Sequence, residues 1–424
     1  MKKVLNIILI LVALITLVAC HSNDNEVSSD LSEEYNLWSE DIEYLVKTLE
    51  ERHKNVYHTI SKEELRNEVE AFKTDIENLS DTGKLLRIKT IVAKIGDAHT
   101  FVGNEKAENW FPIVINQFED GYYVGVTTEE YEEIIGLRLV EINGVRIDVI
   151  LEMISGIISY DNIYGLMTKA TLYYRCADYL KYFGIIDNVE SALFKFENNN
   201  GDYIEIDIDS YNYKKSPTNW IHIAEKYSKV NDMLIMRNFN NNYWYDFNLE
   251  DKLVYLQYNI CRIDENKPIE EFTAEVLRTL RGNNVDKMII DLRFNRGGDS
   301  RILEPLIRGV ASNDDINQEG KLFVAISNKT NSSAVLNSLL IKKLTNATFI
   351  GQPTGGKPNH YGEVLMFTLP NSNIKIYYSS KFFKVIDTDE DALYPDIQIN
   401  RTSYKFEDFL EGIDPIMEKI LSID

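Results

Sequence analysis

Ser332 has the residue type and the surroundings that nucleophilic catalysis requires. The apolar run 321–327 precedes it and apolar residues at helical spacing follow it, so the sequence predicts a strand, a sharp turn and a helix. A serine in such a turn lies beside free backbone N–H groups, which can stabilise an oxyanion next to the hydroxyl. The same position also suits an ordinary helix N-cap. Both interpretations are open at this point.

A lysine and a histidine are the candidate basic groups. Lys357 ends the glycine-containing segment 351–357, which follows another short predicted strand. A desolvated lysine can accept the proton of a serine. His99 lies in a loop between the predicted helix end at Gly96 and a short strand, a common place for a functional side chain. The structural alternatives are a surface lysine in a glycine loop and a loop histidine bonded to the backbone.

Composition limits the classes of function. The 424 residues carry 44% hydrophobic and 11% aromatic residues, which is typical of a large globular protein. The net charge of −22 argues against nucleic acid as a partner, because phosphate binding needs basic patches. The sequence contains no HExxH, GxGxxG or CxxC motif, so we expect no metal site and no cofactor. Cys176 and Cys261 fit separate buried thiols, and a disulfide is the alternative.

The N-terminus has the form of a bacterial lipoprotein signal. Lys2 and Lys3 precede the apolar run 4–18, which is too short for a transmembrane helix. The following Leu17-Val18-Ala19-Cys20 resembles a lipoprotein box. We therefore predict a signal peptide over 1–19, lipidation of Cys20 and a flexible tether over 20–35. The expected location is the extracytoplasmic face of a membrane, and an ordinary secretory signal is the alternative.

Three predicted regions precede the last part of the chain. Residues 36–105 show helical periodicity. Residues 106–155 change to short strands, and the turn Ile142-Asn143-Gly144 before a helix resembles the back half of a PDZ domain. PDZ domains bind a peptide C-terminus by strand addition, and a β subdomain without a ligand is the alternative. Residues 156–230 predict a helix and a β-hairpin around Asn200-Gly201.

Residues 231–424 alternate strand and helix patterns. This order predicts an α/β domain, whose sites lie at the carboxyl ends of parallel strands. The predicted strand 285–291 runs directly into the loop that contains Gly297 and Gly298. Backbone N–H groups of such a loop are candidates for oxyanion stabilisation.

Four segments together resemble the C-terminal processing (tail-specific) serine peptidase family, whose relatives include tricorn-type proteases. They are Gly96-Asp97-Ala98-His99-Thr100, residues 290–298, Thr330-Asn331-Ser332-Ser333-Ala334 and residues 350–357. The resemblance covers most of residues 36–424 and implies a ClpP/crotonase-like α/β catalytic core. It implies the nucleophile Ser332, with the N–H groups of Gly297 or Gly298 and of Ser333 around the oxyanion. The base is Lys357 in the processing branch and His99 in the tricorn-like branch.

The sequence departs from the processing branch near Lys357. Pro358 and Tyr361 stand where that branch has glycine and glutamine, and Val335 replaces an acidic residue. These differences weaken a mechanism based on Lys357 alone and strengthen His99. Glu390 is the candidate for the acidic residue that supports the histidine in tricorn-type enzymes.

The resemblance implies a serine endopeptidase that cleaves polypeptides of exported proteins through an acyl-enzyme on Ser332. A catalytically inactive peptide- or lipid-binding protein on the same fold is the first alternative, because fold does not determine activity. A serine hydrolase that acts on non-peptide esters or amides is the second. The sequence does not determine the oligomeric state.

Overall fold

The computed structural model describes residues 24–104, 107–399 and 404–423. The helices near the N-terminus are α1 (Asp24–Arg52), α2 (Lys62–Asp75) and α3 (Asp81–Ala93). Ser61 and Glu64 form a capping box at the start of α2, in which each side chain accepts the other residue's backbone N–H, at 3.1 and 2.9 Å. The helical pattern predicted for this region is therefore confirmed.

Helix α1 corrects the predicted tether. It begins at Asp24, whereas a flexible segment is predicted over 20–35. Trp38 and Ile42 are buried on this helix, and extending a helix beyond a packed turn is far easier than nucleating one. The polar composition of residues 24–35 therefore does not prevent helix formation. The predicted signal peptide over 1–19 and the lipidation site Cys20 lie outside the described residues.

The middle of the described chain forms a seven-stranded antiparallel sheet and a smaller two-stranded one. The strands of this part are β1 (Phe101–Val102), β2 (Asn109–Trp110), β3 (Val114–Phe118), β4 (Gly121–Thr128), β5 (Arg138–Ile142), β6 (Val145–Arg146), β7 (Ser191–Glu197), β8 (Tyr203–Asp209), β9 (Tyr211–Asn212) and β10 (Trp220–His222). The large sheet has the order β10-β4-β5-β7-β8, with β3 on β4 and β6 on β5, and β2 pairs with β9. The predicted hairpin of β7 and β8 is confirmed. Because β5 pairs with β7, residues 106–155 and 156–230 share one sheet.

Short helices connect and cover this sheet. They are α4 (Ile147–Ser155), α5 (Ile163–Tyr173), α6 (Ala177–Tyr182), α7 (Ile223–Lys226) and α8 (Ser228–Asp232). Helix α5 is the important one for the site, because Asn162 caps its first turn and donates to the backbone oxygens of Thr354 and Asp391, at 3.0 and 2.7 Å. The first bond attaches α5 to the glycine-containing segment that ends at Lys357, and the second attaches it to the segment around Asp391.

The last third contains the predicted α/β arrangement. Its strands are β11 (Tyr243–Asn248), β12 (Leu253–Tyr258), β13 (Lys287–Asp291), β14 (Leu322–Ile326) and β15 (Thr348–Gly351), followed later by β18 (Ile397–Gln398). They lie side by side in chain order, with β11 antiparallel to β12 and every other pair parallel. Ile290 and Val324 face one buried core and Ile289 and Phe323 face another. Burial on both faces explains the uninterrupted apolar runs in the sequence.

Helices cover both faces of this parallel sheet. Helices α9 (Ile269–Gly282), α10 (Glu304–Ala311) and α11 (Ser333–Leu344) contribute to the first core. After the short helix α12 (Phe406–Leu410), α13 (Pro415–Leu421) contributes to the second. Asp414 caps α13 by accepting the N–H of Ile416 at 3.1 Å. Within the described ranges, no helix combines the length and apolarity needed to cross a membrane.

A hairpin connects the two halves of the molecule. Its strands are β16 (His360–Thr368) and β17 (Lys375–Phe383), and β17 also pairs with β1 from the N-terminal region. Phe367 and Ile376 of the hairpin are buried in the core formed by the N-terminal helices and the antiparallel sheet. The hairpin therefore brings the segment after Lys357 next to the loop that contains His99.

Candidate active site

Ser332 lies in a strained turn between β14 and α11. Its backbone has φ 53° and ψ −126°, the conformation of the second residue of a type II′ turn. The N–H of Ala334 donates to the Asn331 carbonyl oxygen at 3.0 Å and closes that turn. The Ser332 hydroxyl accepts no N-cap hydrogen bond, so the ordinary cap interpretation does not apply. The turn presents the Oγ atom at the start of a helix, as a nucleophile requires.

Two glycines allow other loops to approach this turn. A Cβ atom on Gly297 would lie 2.7 Å from Ser332 Cβ, and one on Gly356 would lie 2.3 Å from Asn331 Oδ1. Asn331 Oδ1 in turn accepts the N–H of Ser332 at 2.7 Å. Any larger residue at either glycine would displace the Ser332 turn, since these separations are below contact distance.

Asn295 ties the turn to the glycine loop. It is fully buried, and its backbone oxygen accepts the N–H of Asn331 at 3.0 Å. Its side-chain Oδ1 accepts the N–H of Gly297 at 2.9 Å, and its Nδ2 donates to the oxygen of Tyr258 at 2.9 Å. The backbone and the side chain of a single residue therefore hold the two segments that meet at Ser332.

The three candidate oxyanion donors differ in whether their N–H groups already have a hydrogen-bond partner. The N–H of Gly297 donates to Asn295 Oδ1, so Gly298 is the stronger candidate donor of the predicted glycine pair. Among the described residues, the N–H groups of Gly298 and Ser333 have no hydrogen-bond partner. Ser333 Oγ donates to the Gly298 carbonyl oxygen at 2.6 Å and fixes the two residues relative to each other. Gly298 and Ser333 can therefore both donate to an oxyanion beside Ser332.

His99 lies against a buried aspartate. Asp97 accepts hydrogen bonds from the backbone N–H of His99 at 2.9 Å, from Thr100 Oγ at 2.5 Å and from His53 Nε2 at 3.1 Å. Burial alone would raise the pKa of Asp97, but the His53 hydrogen bond and the charge of a protonated His99 outweigh it. The pKa of Asp97 is therefore well below its ordinary value, and the carboxylate stays charged.

A second carboxylate lies close to His99. The Nδ1 atom of His99 is buried without a hydrogen-bond partner and lies 3.8 Å from Asp97 Oδ1. Ligand atoms of Asp97, His99 and Asp161 all lie within 4.8 Å of one another. Asp161 accepts the N–H of Ala98 at 2.9 Å through Oδ1, and its Oδ2 is buried and unpaired. A protonated His99 would thus be stabilised by two negative charges.

The same three side chains have the composition of a metal site. The ammonium group of Lys169 interacts electrostatically with both Asp97 and Asp161, and burial lowers the pKa of Lys169. Its Nζ atom donates to the backbone oxygens of Ala98 and Ser159, at 3.2 and 2.7 Å. This positive charge opposes the binding of a second cation and favours a role of the carboxylates towards His99.

Lys357 is not oriented as a general base. Its Nζ atom lies 2.8 Å from Oδ1 of the exposed Asp391, and none of its described hydrogen bonds involves Ser332. An ammonium group held by a carboxylate is not the desolvated amine that a Ser–Lys dyad requires. Glu390 is exposed and has no described hydrogen bond or ion pair. The predicted support of the histidine by Glu390 stays a prediction, and Asp97 and Asp161 are the carboxylates that lie near His99.

His360 connects the segment around Lys357 with His99. The two imidazole rings lie 5.6 Å apart between centroids. Nδ1 of His360 lies 2.9 Å from the Lys357 carbonyl oxygen, so this nitrogen carries the proton. Burial, together with the charge of His99, lowers the pKa of His360. His360 therefore packs beside His99 as a neutral ring.

A cavity of about 310 Å³ lies between His99 and the Ser332 turn. Its lining includes both His99 and Asn331, the neighbour of Ser332. Sequence reasoning identified both of these segments but missed Asp161, Lys169 and His360. Asp161 and His99 are 62 positions apart in a chain without a linking motif, and only the folded arrangement shows their proximity.

Comparisons with known proteins establish the fold. No protein-family model and no curated protein matches the sequence. The structure is similar to that of mature CPAF complexed with lactacystin, with a TM-score of 0.64, 12% identity, and coverage of 92% of this chain and 99% of CPAF. Mature CPAF gives a TM-score of 0.63 at 12% identity, with coverage of 91% and 96%. The chain therefore has the CPAF fold.

A third similarity is weaker. The photosystem II D1 C-terminal processing protease gives a TM-score of 0.40 at 12% identity, with coverage of 90% of this chain and 98% of that protein. A score this low carries no argument. The predicted resemblance is therefore confirmed at the level of the fold, by the two CPAF structures.

Proposed function

We propose that this protein is a serine endopeptidase of the C-terminal processing type. The observation that carries the proposal is the strained Ser332 turn, in which the hydroxyl and the neighbouring N–H groups of Gly298 and Ser333 have no hydrogen-bond partner among the described residues. Strain of this kind persists where the surroundings impose it, commonly at functional sites. The structural similarity to CPAF supports the proposal, since one CPAF structure is of a serine-to-alanine mutant.

The reaction is an acyl transfer to Ser332. His99 removes the hydroxyl proton as Oγ attacks the peptide carbonyl carbon, and the carbonyl oxygen becomes an oxyanion bound by the N–H groups of Gly298 and Ser333. Collapse of this intermediate breaks the C–N bond, and His99 returns the proton to the leaving amine. A water molecule then hydrolyses the ester on Ser332 by the same steps.

His99 is the proposed base because its surroundings stabilise the charge that it acquires. Asp97 and Asp161 both lie beside the ring, and each carboxylate favours the imidazolium that forms when Ser332 loses its proton. Lys357 is held in an ion pair with Asp391 and is assigned a structural role. The proposal thus follows the tricorn-like rather than the lysine-dependent variant of the mechanism.

The remaining parts of the chain are assigned in accordance with this function. We propose a ClpP/crotonase-like catalytic core over 231–424 and a PDZ-like part within 106–155. We also propose export, lipidation of Cys20 and action on the polypeptides of exported proteins outside the cytoplasm. Metabolic labelling with a radioactive fatty acid tests the anchor. The proposal requires label in the wild type and none in Cys20→Ser.

Cleavage of unfolded casein by a soluble form that lacks residues 1–20 tests the catalytic assignment. Ser332→Ala and His99→Ala should each lose about 10³-fold or more in kcat/KM, whereas Lys357→Ala should keep activity within about fivefold. Circular dichroism must show that each variant is folded.

A fully active Ser332→Ala variant would disprove the mechanism, and an inactive, folded Lys357→Ala variant would assign the base to lysine. A wild type that binds lactacystin or peptide without cleaving any ester, amide or peptide would leave the binding protein as the correct alternative.

A further inference from the structure

The cavity beside His99 is lined by basic side chains. Its charged lining residues are Lys89, Lys169, Arg296 and Lys329, and no carboxylate of the described chain belongs to its lining. The whole chain has 67 acidic and 45 basic residues, so this local excess of positive charge opposes the composition. Asp97 and Asp161 lie next to His99 and interact electrostatically with Lys169, but neither carboxylate belongs to the lining. A cavity of this kind attracts a negatively charged group.

Arg296 differs from the other three cations. Lys89 and Lys169 donate to backbone carbonyl oxygens, and the ammonium group of Lys329 lies 5.1 Å above the ring of Phe294. Arg296 makes no hydrogen bond, ion pair or ring contact with any residue that the structure describes. Its five N–H donors are therefore available to a ligand.

Arg296 lies where two cavities of the protein surface meet. It lines the cavity beside His99 and also a second cavity of about 420 Å³, so its side chain is exposed to solvent at the junction of the two. The surrounding protein nevertheless lowers the pKa of Arg296 by desolvation, with no opposing contribution from a carboxylate. The guanidinium group is therefore partly desolvated, and a bound carboxylate would supply the partner that it lacks among the described residues.

Arg296 immediately precedes Gly297, which lies against Ser332. A group bound by Arg296 is therefore within a few residues of the peptide bond that Ser332 attacks. The guanidinium fork matches a carboxylate in two parallel hydrogen bonds. Apart from the four basic residues and His99, the residues that line the cavity are uncharged, and Phe101, Leu172 and Tyr173 are among them.

We propose that Arg296 binds a carboxylate of the substrate and makes this protein selective for peptides with an acidic group close to the cleaved bond. The inference rests on the proposed peptidase function. The carboxylate belongs to an Asp or Glu side chain or to the free C-terminus of the substrate, because both present the same group to the guanidinium.

A set of matched peptides tests this selectivity. They are short alanine-based fluorogenic peptides that carry either Glu or Gln at one position and end in either a free carboxylate or an amide. The wild type should cleave at least one carboxylate form with a KM about tenfold or more below that of its neutral counterpart. Arg296→Gln should abolish this difference mainly through KM, and the carboxylate that loses its advantage identifies the source.

Arg301→Gln is the matched control. Arg301 lies on the same loop, is exposed and is paired with Asp299, so this variant should retain the wild-type preference. Arg296→Glu should in addition prefer a Lys-containing peptide over the Glu-containing one. A preference for carboxylates that survives in folded Arg296→Gln would overturn the proposal, and so would a wild type without any preference.

Equilibrium binding separates this proposal from the peptidase function. Fluorescence anisotropy with dye-labelled versions of the same peptides measures Kd without any chemical step. If no peptide is cleaved but the wild type binds a carboxylate form about tenfold more tightly than its neutral form, and Arg296→Gln does not, the carboxylate site stands and the peptidase fails. Equal Kd values for charged and neutral peptides on the wild type would reject the site.

Discussion

At the scale of single residues, Ser332 has a backbone conformation that suits glycine better than serine. A positive φ of 53° brings the Cβ atom of an L-residue too close to its own backbone, and such residues destabilise the fold by about 1–3 kcal/mol. The surrounding contacts of Asn331, Gly297 and Gly356 impose this conformation. A serine there is explained by a use for its hydroxyl, because the fold alone would favour glycine.

Replacing Ser332 by glycine should therefore stabilise the protein relative to replacing it by alanine. Both variants lack the hydroxyl, but only glycine removes the backbone strain. The free energy of unfolding of Ser332→Gly should therefore be about 1 kcal/mol higher than that of Ser332→Ala. Urea denaturation followed by tryptophan fluorescence measures the difference. Equal stabilities, or a more stable alanine variant, would show that the turn is unstrained in solution.

The two described cysteines are separate buried thiols, as the sequence predicts. Cys176 and Cys261 are free and buried, and they belong to different hydrophobic cores, so the expected separate thiols are confirmed. Burial raises the pKa of Cys261 to about 12, and it raises that of Cys176 as well. Neither thiol is therefore a competing nucleophile for the chemistry at Ser332.

At the scale of elements, a buried arginine joins the end of β13 to the start of α13. Arg293 contacts Asp291 at 2.6 Å and Asp414 at 2.8 Å, and Tyr255 donates to Asp291 at 2.7 Å. Asp414 is also the N-cap of α13. The glycine loop that carries Gly298 begins directly after Arg293, so this network fixes the start of that loop.

Arg293→Ala should lower the free energy of unfolding by about 3–5 kcal/mol, because it leaves two buried carboxylates without their counter-ion. Arg301→Ala provides the control, since its exposed pair with Asp299 should leave stability unchanged within error. Chemical denaturation of both variants measures the effect. A loss for Arg293→Ala no larger than for Arg301→Ala would show that the network does not hold α13.

The elements also show what the sequence could predict. The capping box of α2, the β7–β8 hairpin and the strand–turn–helix around Ser332 depend on neighbouring residues, and the sequence contains those signals. The choice between Lys357 and His99 depends on partners far along the chain. Asp391 pairs with Lys357 and Asp161 approaches His99, and neither contact has a local pattern. The Asn295 contact with Gly297 is local, but a side chain that occupies a backbone donor leaves no periodic signal.

At the scale of the whole molecule, the site lies where two bodies meet. Val102, next to the His99 loop, is buried in the core of the N-terminal helices and the antiparallel sheet, whereas Val335, next to Ser332, is buried in the core of the parallel sheet. The whole chain has a net charge of −22, while the charged side chains that line the cavity beside His99 are basic. The net charge of the whole molecule therefore repels a negatively charged substrate at a distance, whereas the basic side chains of the cavity attract its negatively charged groups at close range.

This opposition predicts how salt affects cleavage. The field of the whole molecule extends over a Debye length, about 10 Å at 0.1 M salt and less at higher concentration, so salt removes it before it weakens contacts inside the cavity. The effect of this field can be measured with two fluorogenic peptides. They share the same cleaved segment, and one carries a lysine tag at a distant end while the other carries a glutamate tag there. Between about 20 mM and about 0.5 M NaCl, kcat/KM should fall several-fold for the lysine-tagged peptide and rise for the glutamate-tagged one, until the two values converge. A change in the same direction for both peptides would show that salt acts on the catalytic step or on the fold rather than on the approach of the substrate.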